Sequence, residues 1–249
     1  MDFWFVLPVL ALMAGIAALT PLGAQVLRRG VVFIDLAVAQ AAAAAVIWVN
    51  AAFHFDTLLI DQAAATGSAV AISLLIAWVA RRWHAQREAL IGLIYVAGAC
   101  MALLGASLHP HGKDKLLQLL AADVLWVDAS SVIALSLSAL VVLLIQRLGH
   151  LSKDALFYGV FAVVASVAVP ALGLFLVFAS LIAPALWIEK GLQPLTAMAI
   201  AGFVGIAGLL ISWMFDTPSG PTMVLTLSTF GLCALFRRGT MEPGSKVVR

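Results

Sequence analysis

Nine apolar runs, at 3–20, 31–53, 63–80, 89–107, 130–146, 155–170, 172–188, 195–215 and 220–236, leave this chain few folds to choose from. A helix covers the ~30 Å hydrocarbon core of a bilayer with roughly 20 residues at 1.5 Å each, and these runs are of that order. Composition agrees, with 64% of the 249 residues hydrophobic and 10% charged, where a soluble domain carries about 25% charged residues. Mean hydropathy is +1.11. The expected fold is all-α, a polytopic membrane protein of about nine transmembrane helices. A single transmembrane domain is expected over 1–249, its last stretch, 237–249, forming a short cytoplasmic tail.

The placement of charge gives an orientation. Lys and Arg favour the cytoplasmic side of short loops. With the N-terminus outside, twelve of the fourteen basic residues fall on the inner side, and only Lys113 and Lys115 fall outside. The segments taken as inner loops are 21–30, 81–88, 147–154, 189–194 and the tail. Dropping the weak break near Pro170 to Gly173 would invert the pattern after it. The start, MDFWFVLPVL, lacks the basic n-region of a signal peptide and reads as a retained first span. Cys100 and Cys233 lie within apolar spans, without metal or redox spacing, and no disulfide is expected.

Within the second span stand Asp35 and Gln40. An ionised Asp at the centre of a lipid-facing helix costs about 2.5–3.5 kcal/mol on insertion scales, so such a residue faces protein, water or cargo. Counted from Val31 at 1.5 Å per residue, Asp35 lies ~6–8 Å in and Gln40 ~15 Å in, near the midplane. Asp35 is a candidate ligand or an ion-pair partner of Arg28 or Arg29. Gln40 is a candidate ligand or an interhelical hydrogen-bonding group.

The outer loops are rich in acid and His. They hold His54, Asp56 and Asp61, then His109, His111, Asp114, Asp123 and Asp128, and finally Asp216. Carboxylate and imidazole suit divalent cations such as manganese, iron or zinc, although solvated loops also collect these residues without binding anything. His109 and His111 are candidates for outer capture of cargo. Asp216 either binds cargo at the outer mouth or caps the last helix, with Pro218 in its first turn. Leu116 to Val127 is apolar but too short to cross and reads as a re-entrant or interfacial piece. No nucleophile elbow, HExxH or Walker sequence occurs, so enzymatic chemistry, including P-loop ATP hydrolysis, is not expected of this chain. Recurrent Gly and Pro within and beside the spans suit close helix packing or broken helices along a pathway.

Five short motifs in order suggest a family. They are Pro21-Leu22-Gly23 before Arg28 and Arg29, Glu88-Ala89-Leu90-Ile91-Gly92, Ala122-Asp123-Val124-Leu125, the run from Gly173 through Ser180 to Pro184-Ala185, and Asp216-Thr217-Pro218-Ser219-Gly220-Pro221. Together they resemble the zinc/manganese-type ABC transporter permeases over nearly the whole chain. The resemblance implies an ABC importer permease bundle that moves a divalent metal ion inward by alternating access. It implies a cytoplasmic ATP-binding subunit, a periplasmic or surface solute-binding protein, a dimer with a homodimer favoured, and a place among the lipids of the bacterial plasma (inner) membrane. No resident cofactor and no nucleic-acid partner are implied; zinc or manganese would be cargo. The metal candidates are Asp35, Gln40 and Asp216.

Three departures from the family stand out. Gln40 occupies a position where the family has His, and Asp35 falls one residue before the family's Asp. Val96 stands where the family has a second His. The loop 147–154 is about a dozen residues shorter than the family's ATPase-docking loop. Ser152, Lys153, Asp154 and Ala155 would carry coupling if a shortened helix near Ser152 to Phe157 still docks; an unusual ATPase or loss of coupling are the alternatives. Two functional alternatives also remain: a permease-like scaffold, or a passive channel for another small solute without ATP coupling.

Overall fold

A computed structural model describes residues 5–53, 58–107, 114, 116, 117 and 120–236. Among these, nine long helices follow the nine apolar runs: α1 Val6–Arg29, α2 Ile34–Phe53, α3 Leu58–Arg82, α4 Arg87–Ser107, α5 Ala129–Arg147, α6 Asp154–Leu172, α7 Leu174–Glu189, α8 Pro194–Phe215 and α9 Ser219–Cys233. Among the described residues there are also three 3-10 turns, Val124–Trp126, His150–Ser152 and Ala234–Phe236, and helical residues at 114, 116, 117 and 120. The fold is all-helical among the described residues. Among the described residues, seven helices are long and apolar enough to cross a membrane, while the apolar helices of α2 (Ile34–Asn50) and α7 are shorter.

The first boundary differs from expectation. The first span is expected to end at 20, yet α1 runs on to Arg29 with Pro21 inside it. A proline in a helix removes one backbone hydrogen bond and crowds the preceding turn, but here Thr20, Pro21, Leu22 and Gly23 are all buried. Packing around that turn offsets the local cost. The stop comes at Gly30, whose left-handed φ of 58° and ψ of 49° close the helix as glycine does. The segment 21–30 is therefore mainly helix.

The break near Pro170 is present. α6 and α7 join through Gly173 alone, at φ 79°. Conformation and space both demand glycine there, because a Cβ would lie 2.5 Å from the backbone nitrogen of Ala122.

Burial ranks the helices. The apolar window of α1 is 67% buried and that of α6 is 61%, against 22% in both α4 and α5. α1 is thus the central post, packed on α5 and α7 and also touching α6 and α8. α2 is held between α3 and α4, and α3 joins this group to the rest through α6. α9 packs on α7 and α8. Outward faces remain apolar, as Leu103, Ile133, Leu137 and Phe203 illustrate. At one end Trp78 and Trp83 meet edge to face, 5.0 Å apart, beside Arg81 and Arg82. Exposed Trp126 and Trp213 lie toward the opposite end, and paired belts of this kind suit the two interfaces of a bilayer.

Candidate functional site

α2 carries the polar interior of its half of the bundle. Asp35, Gln40 and Asn50 are buried along it. Asp35 stands in the first turn, and both carboxylate oxygens are buried without a hydrogen-bond partner. It is the one buried acid among the described residues. It makes no ion pair with Arg28 or Arg29, contrary to one of the two expected roles. Arg29 is spent elsewhere, and Arg28 shares a crevice between α1 and α7 with Glu189.

Gln40 lies one and a half turns further along α2. It borders a small cavity with Ala39, Ala43, Leu116, Leu120, Val169 and Leu174. The last two residues bracket the α6–α7 break, so the amide position adjoins the place where regular backbone ends. Five residues at 100° each turn Gln40 about 140° from Asp35 and lift it ~7.5 Å along the axis. The two side chains leave α2 in different directions.

α4 closes the other side of α2. Gly98 brings α4 so near that a Cβ there would lie 3.3 Å from Gln40 Cβ, and one helix-face repeat on, at Gly105, it would lie 2.8 Å from Ile47. Trp48 Nε1 donates to the Met101 carbonyl at 2.9 Å. The alanines from Ala41 to Ala45 and these glycines make the close approach that a small-residue face permits. Val96 is 52% exposed and points away from this contact.

The remaining motifs converge on α7. A Cβ on Gly23 would fall 1.9 Å from the Leu181 carbonyl oxygen, so α1 touches the α7 backbone there. From the other side, Gly231 of α9 rests against Ala183. At the end of α7, the Ala122 backbone is wedged between Gly173 and Gly220, whose added Cβ would lie 2.6 Å from the Ala122 carbonyl oxygen. Asp123 Oδ1 accepts from Ser219 Oγ at 2.5 Å and from the Leu125 N–H at 3.2 Å. Asp123 thereby ties the 3-10 turn to the start of α9. Sequence reasoning placed the segment from Leu116 to Val127 as a non-crossing piece and missed this tie. The Ala-Asp-Val-Leu motif was its one visible signal.

Asp216 has a different place from the expected helix cap. It is exposed and closes α8 in the left-handed region, at φ 51°, a conformation that Asp tolerates better than most residues. Pro218 occupies the N-cap position of α9, whose first turn begins at Ser219. Helix α8 therefore takes the cap that was expected for α9. Among the described residues, no three His, Cys, Asp or Glu side chains cluster as metal ligands. His109 and His111, with His54 and Asp56, lie outside the described residues.

The expected coupling segment sits at the opposite end. Ser152, Lys153, Asp154 and Ala155 are exposed. No separate helix spans Ser152 to Phe157. Asp154 begins α6, and the only independent piece is the His150–Ser152 turn, entered through Gly149 at φ 69° and anchored by buried Leu151. Eight residues between two spans leave room for a turn but not for a helix with its own caps. Arg29 holds that turn, donating from Nη2 to the Ser152 carbonyl at 2.8 Å and the Leu151 carbonyl at 3.4 Å. Its Nε reaches Asp154 Oδ1 at 3.3 Å, while Arg81 Nε stands 4.0 Å from Oδ2.

Comparison with known proteins agrees with this geometry. No curated protein matches the chain. A solved structure, PsaBC from Streptococcus pneumoniae in complex with Fab, is similar with a TM-score of 0.73 at 18% identity, covering 95% of this chain and 92% of that one. That likeness is one of fold. Residues 148–238 match the ABC 3 transport family, and this stretch holds α6 to α9 with both the Gly173–Ala185 and Asp216–Pro221 motifs. The chain is thus similar to the ABC 3 transport family over its last four long helices, within a bundle that shares the fold of the pneumococcal protein over 95% of its length.

Proposed function

We propose that this chain is the membrane subunit of an ATP-driven importer for a divalent metal ion of the zinc or manganese class. Two copies, in the bacterial inner membrane with the N-terminus outside, would carry cargo inward by alternating access. ATP hydrolysis belongs to a separate subunit docked at the end that carries Arg29 and Asp154. A solute-binding protein delivers the ion at the end that carries Asp123 and Asp216. The chain holds no resident cofactor, and the ion is cargo.

The observation that carries this reading is the buried polar series of α2. An acid buried without a partner is costly in a folded interior. A membrane chain keeps one where cargo or a second conformation supplies the missing contacts. Gln40, beside the α6–α7 break, offers a carbonyl oxygen, a harder donor than the imidazole that the family resemblance would place there. This favours manganese over zinc within the metal class. Asp35 and Gln40 then act in succession along α2, since they leave the helix in different directions.

The test is metal accumulation by cells that depend on this chain, comparing the deletion strain with strains carrying the wild type, Asp35→Asn or Gln40→Ala. Wild type restores accumulation, and each variant, present in the membrane at the wild-type level, lowers it by about tenfold, the factor carried by one lost charged or polar ligand contact. Zinc, manganese and iron levels that do not respond to deleting the chain would refute a metal cargo.

A further inference from the structure

We infer that Arg29 is the positioning residue that fastens the loop at 147–154 to the central helix, so that α1, the turn and α6 move as one body when the loop is pushed. The inference rests on the proposed ATP-driven reading and adds the route by which this shortened loop acts. Arg29 is the last residue of α1, and only 14% of its side chain is exposed. Its guanidinium uses every edge. Nη1 donates back to Gln25 Oε1 at 2.5 Å, one turn earlier on α1. Nη2 donates to the carbonyls of Ser152 and Leu151, and Nε donates to Asp154 Oδ1. Its flat face lies 4.2 Å from the centre of the buried Phe157 ring.

One planar group thus binds three pieces, the end of α1, the 150–152 turn and the first turn of α6. The contacts are rigid because a guanidinium offers its donors in a fixed fork and stacks on aromatic faces. Lysine presents a point charge on a flexible stem. Phe157 continues the contact inward, with Phe161 5.8 Å away. Two turns up α1 from Arg29, Gly23 abuts the α7 backbone, so α1 passes a displacement of the turn to α7. α6 passes it to the break at Gly173, next to Gln40's cavity. A loop too short to form a helix of its own transmits force through this bolt.

The test uses the full chain in lipid nanodiscs and in proteoliposomes with its ATPase and solute-binding protein. In a background with Cys100→Ser and Cys233→Ser, spin labels at Arg28→Cys and Lys153→Cys report the spacing between α1 and the turn. R29K, which keeps the charge but loses the fork, is expected to broaden that distance distribution, whereas R81K leaves it as in the parent. In proteoliposomes R29K still binds the ATPase, but cargo moved per ATP falls about tenfold, the low end of what one lost charge-assisted hydrogen bond carries. An unchanged distribution in R29K, or cargo per ATP within twofold of the parent, overturns the inference. A parent that hydrolyses ATP without moving any ion tells instead against the importer reading, and the spin-label arm still decides whether Arg29 fixes the turn.

Discussion

At the scale of single residues, glycine separates positions that bear the architecture from those that merely permit it. Gly23 has no room for a side chain, since its Cβ would fall 1.9 Å from a backbone oxygen of α7, whereas Gly92, in the first turns of α4, has nothing within 4 Å. Gly23→Ala is therefore expected to destabilise the protein by about 1–3 kcal/mol, the usual cost of overpacking. Gly92→Ala is expected to be neutral or to stabilise by up to ~1 kcal/mol through helix propensity. Melting temperatures of the two variants in one detergent check this, and equal shifts would contradict the packing of α1 on α7. Both glycines belong to short motifs that are equally visible in sequence. Only the fold tells them apart, because the contact partner of Gly23 lies 158 residues further along the chain.

At the scale of elements, the nine apolar runs were legible because a helix in lipid satisfies its own backbone and needs only length and composition to declare itself. Its ends were less legible. Pro21 suggested a stop, but the buried turn around it carries α1 to Gly30. Asp216 and Pro218 suggested a cap for α9, and the acid closes α8 instead. The first outcome depends on tertiary packing around Pro21, whereas the second is a local left-handed turn in which the Thr217 N–H donates to the Ser212 carbonyl. The α6–α7 break was legible from Pro170 and Gly173, and the structure adds its reason: the Ala122 backbone fills the space. Gly173→Ala combines a strained positive φ with a clash and is expected to cost about 2–4 kcal/mol. Such a variant should be recovered from membranes at a small fraction of the wild-type yield, and normal yield with a normal melting temperature would show that Ala122 does not pack there. The polar content of α2 was also legible in Asp35 and Gln40. Their separate directions follow from helical periodicity, but the lack of any partner for Asp35 required the packed neighbours.

At the scale of the whole molecule, the charge pattern supports the proposed orientation. Arg29, Arg81, Arg87 and Asp154 gather around Tyr158 at one end, and Asp123 and Asp216 mark the other. With the basic end inside, a single cysteine at Lys153→Cys in a cysteine-free background should react with a membrane-impermeant thiol reagent only after the cells are opened. Asp216→Cys should react in intact spheroplasts. The reverse pattern would invert the molecule in the membrane and remove the proposed places of both partners. Central to the account is ATP-driven movement of a divalent ion through this bundle. Its most direct measurement is manganese and zinc accumulation in proteoliposomes containing the chain, its ATPase and its solute-binding protein, with and without ATP. ATP-dependent accumulation that falls about tenfold in Asp35→Asn, without loss of the assembled complex, is the predicted result. Accumulation that proceeds equally without ATP, or is indifferent to Asp35, would contradict it.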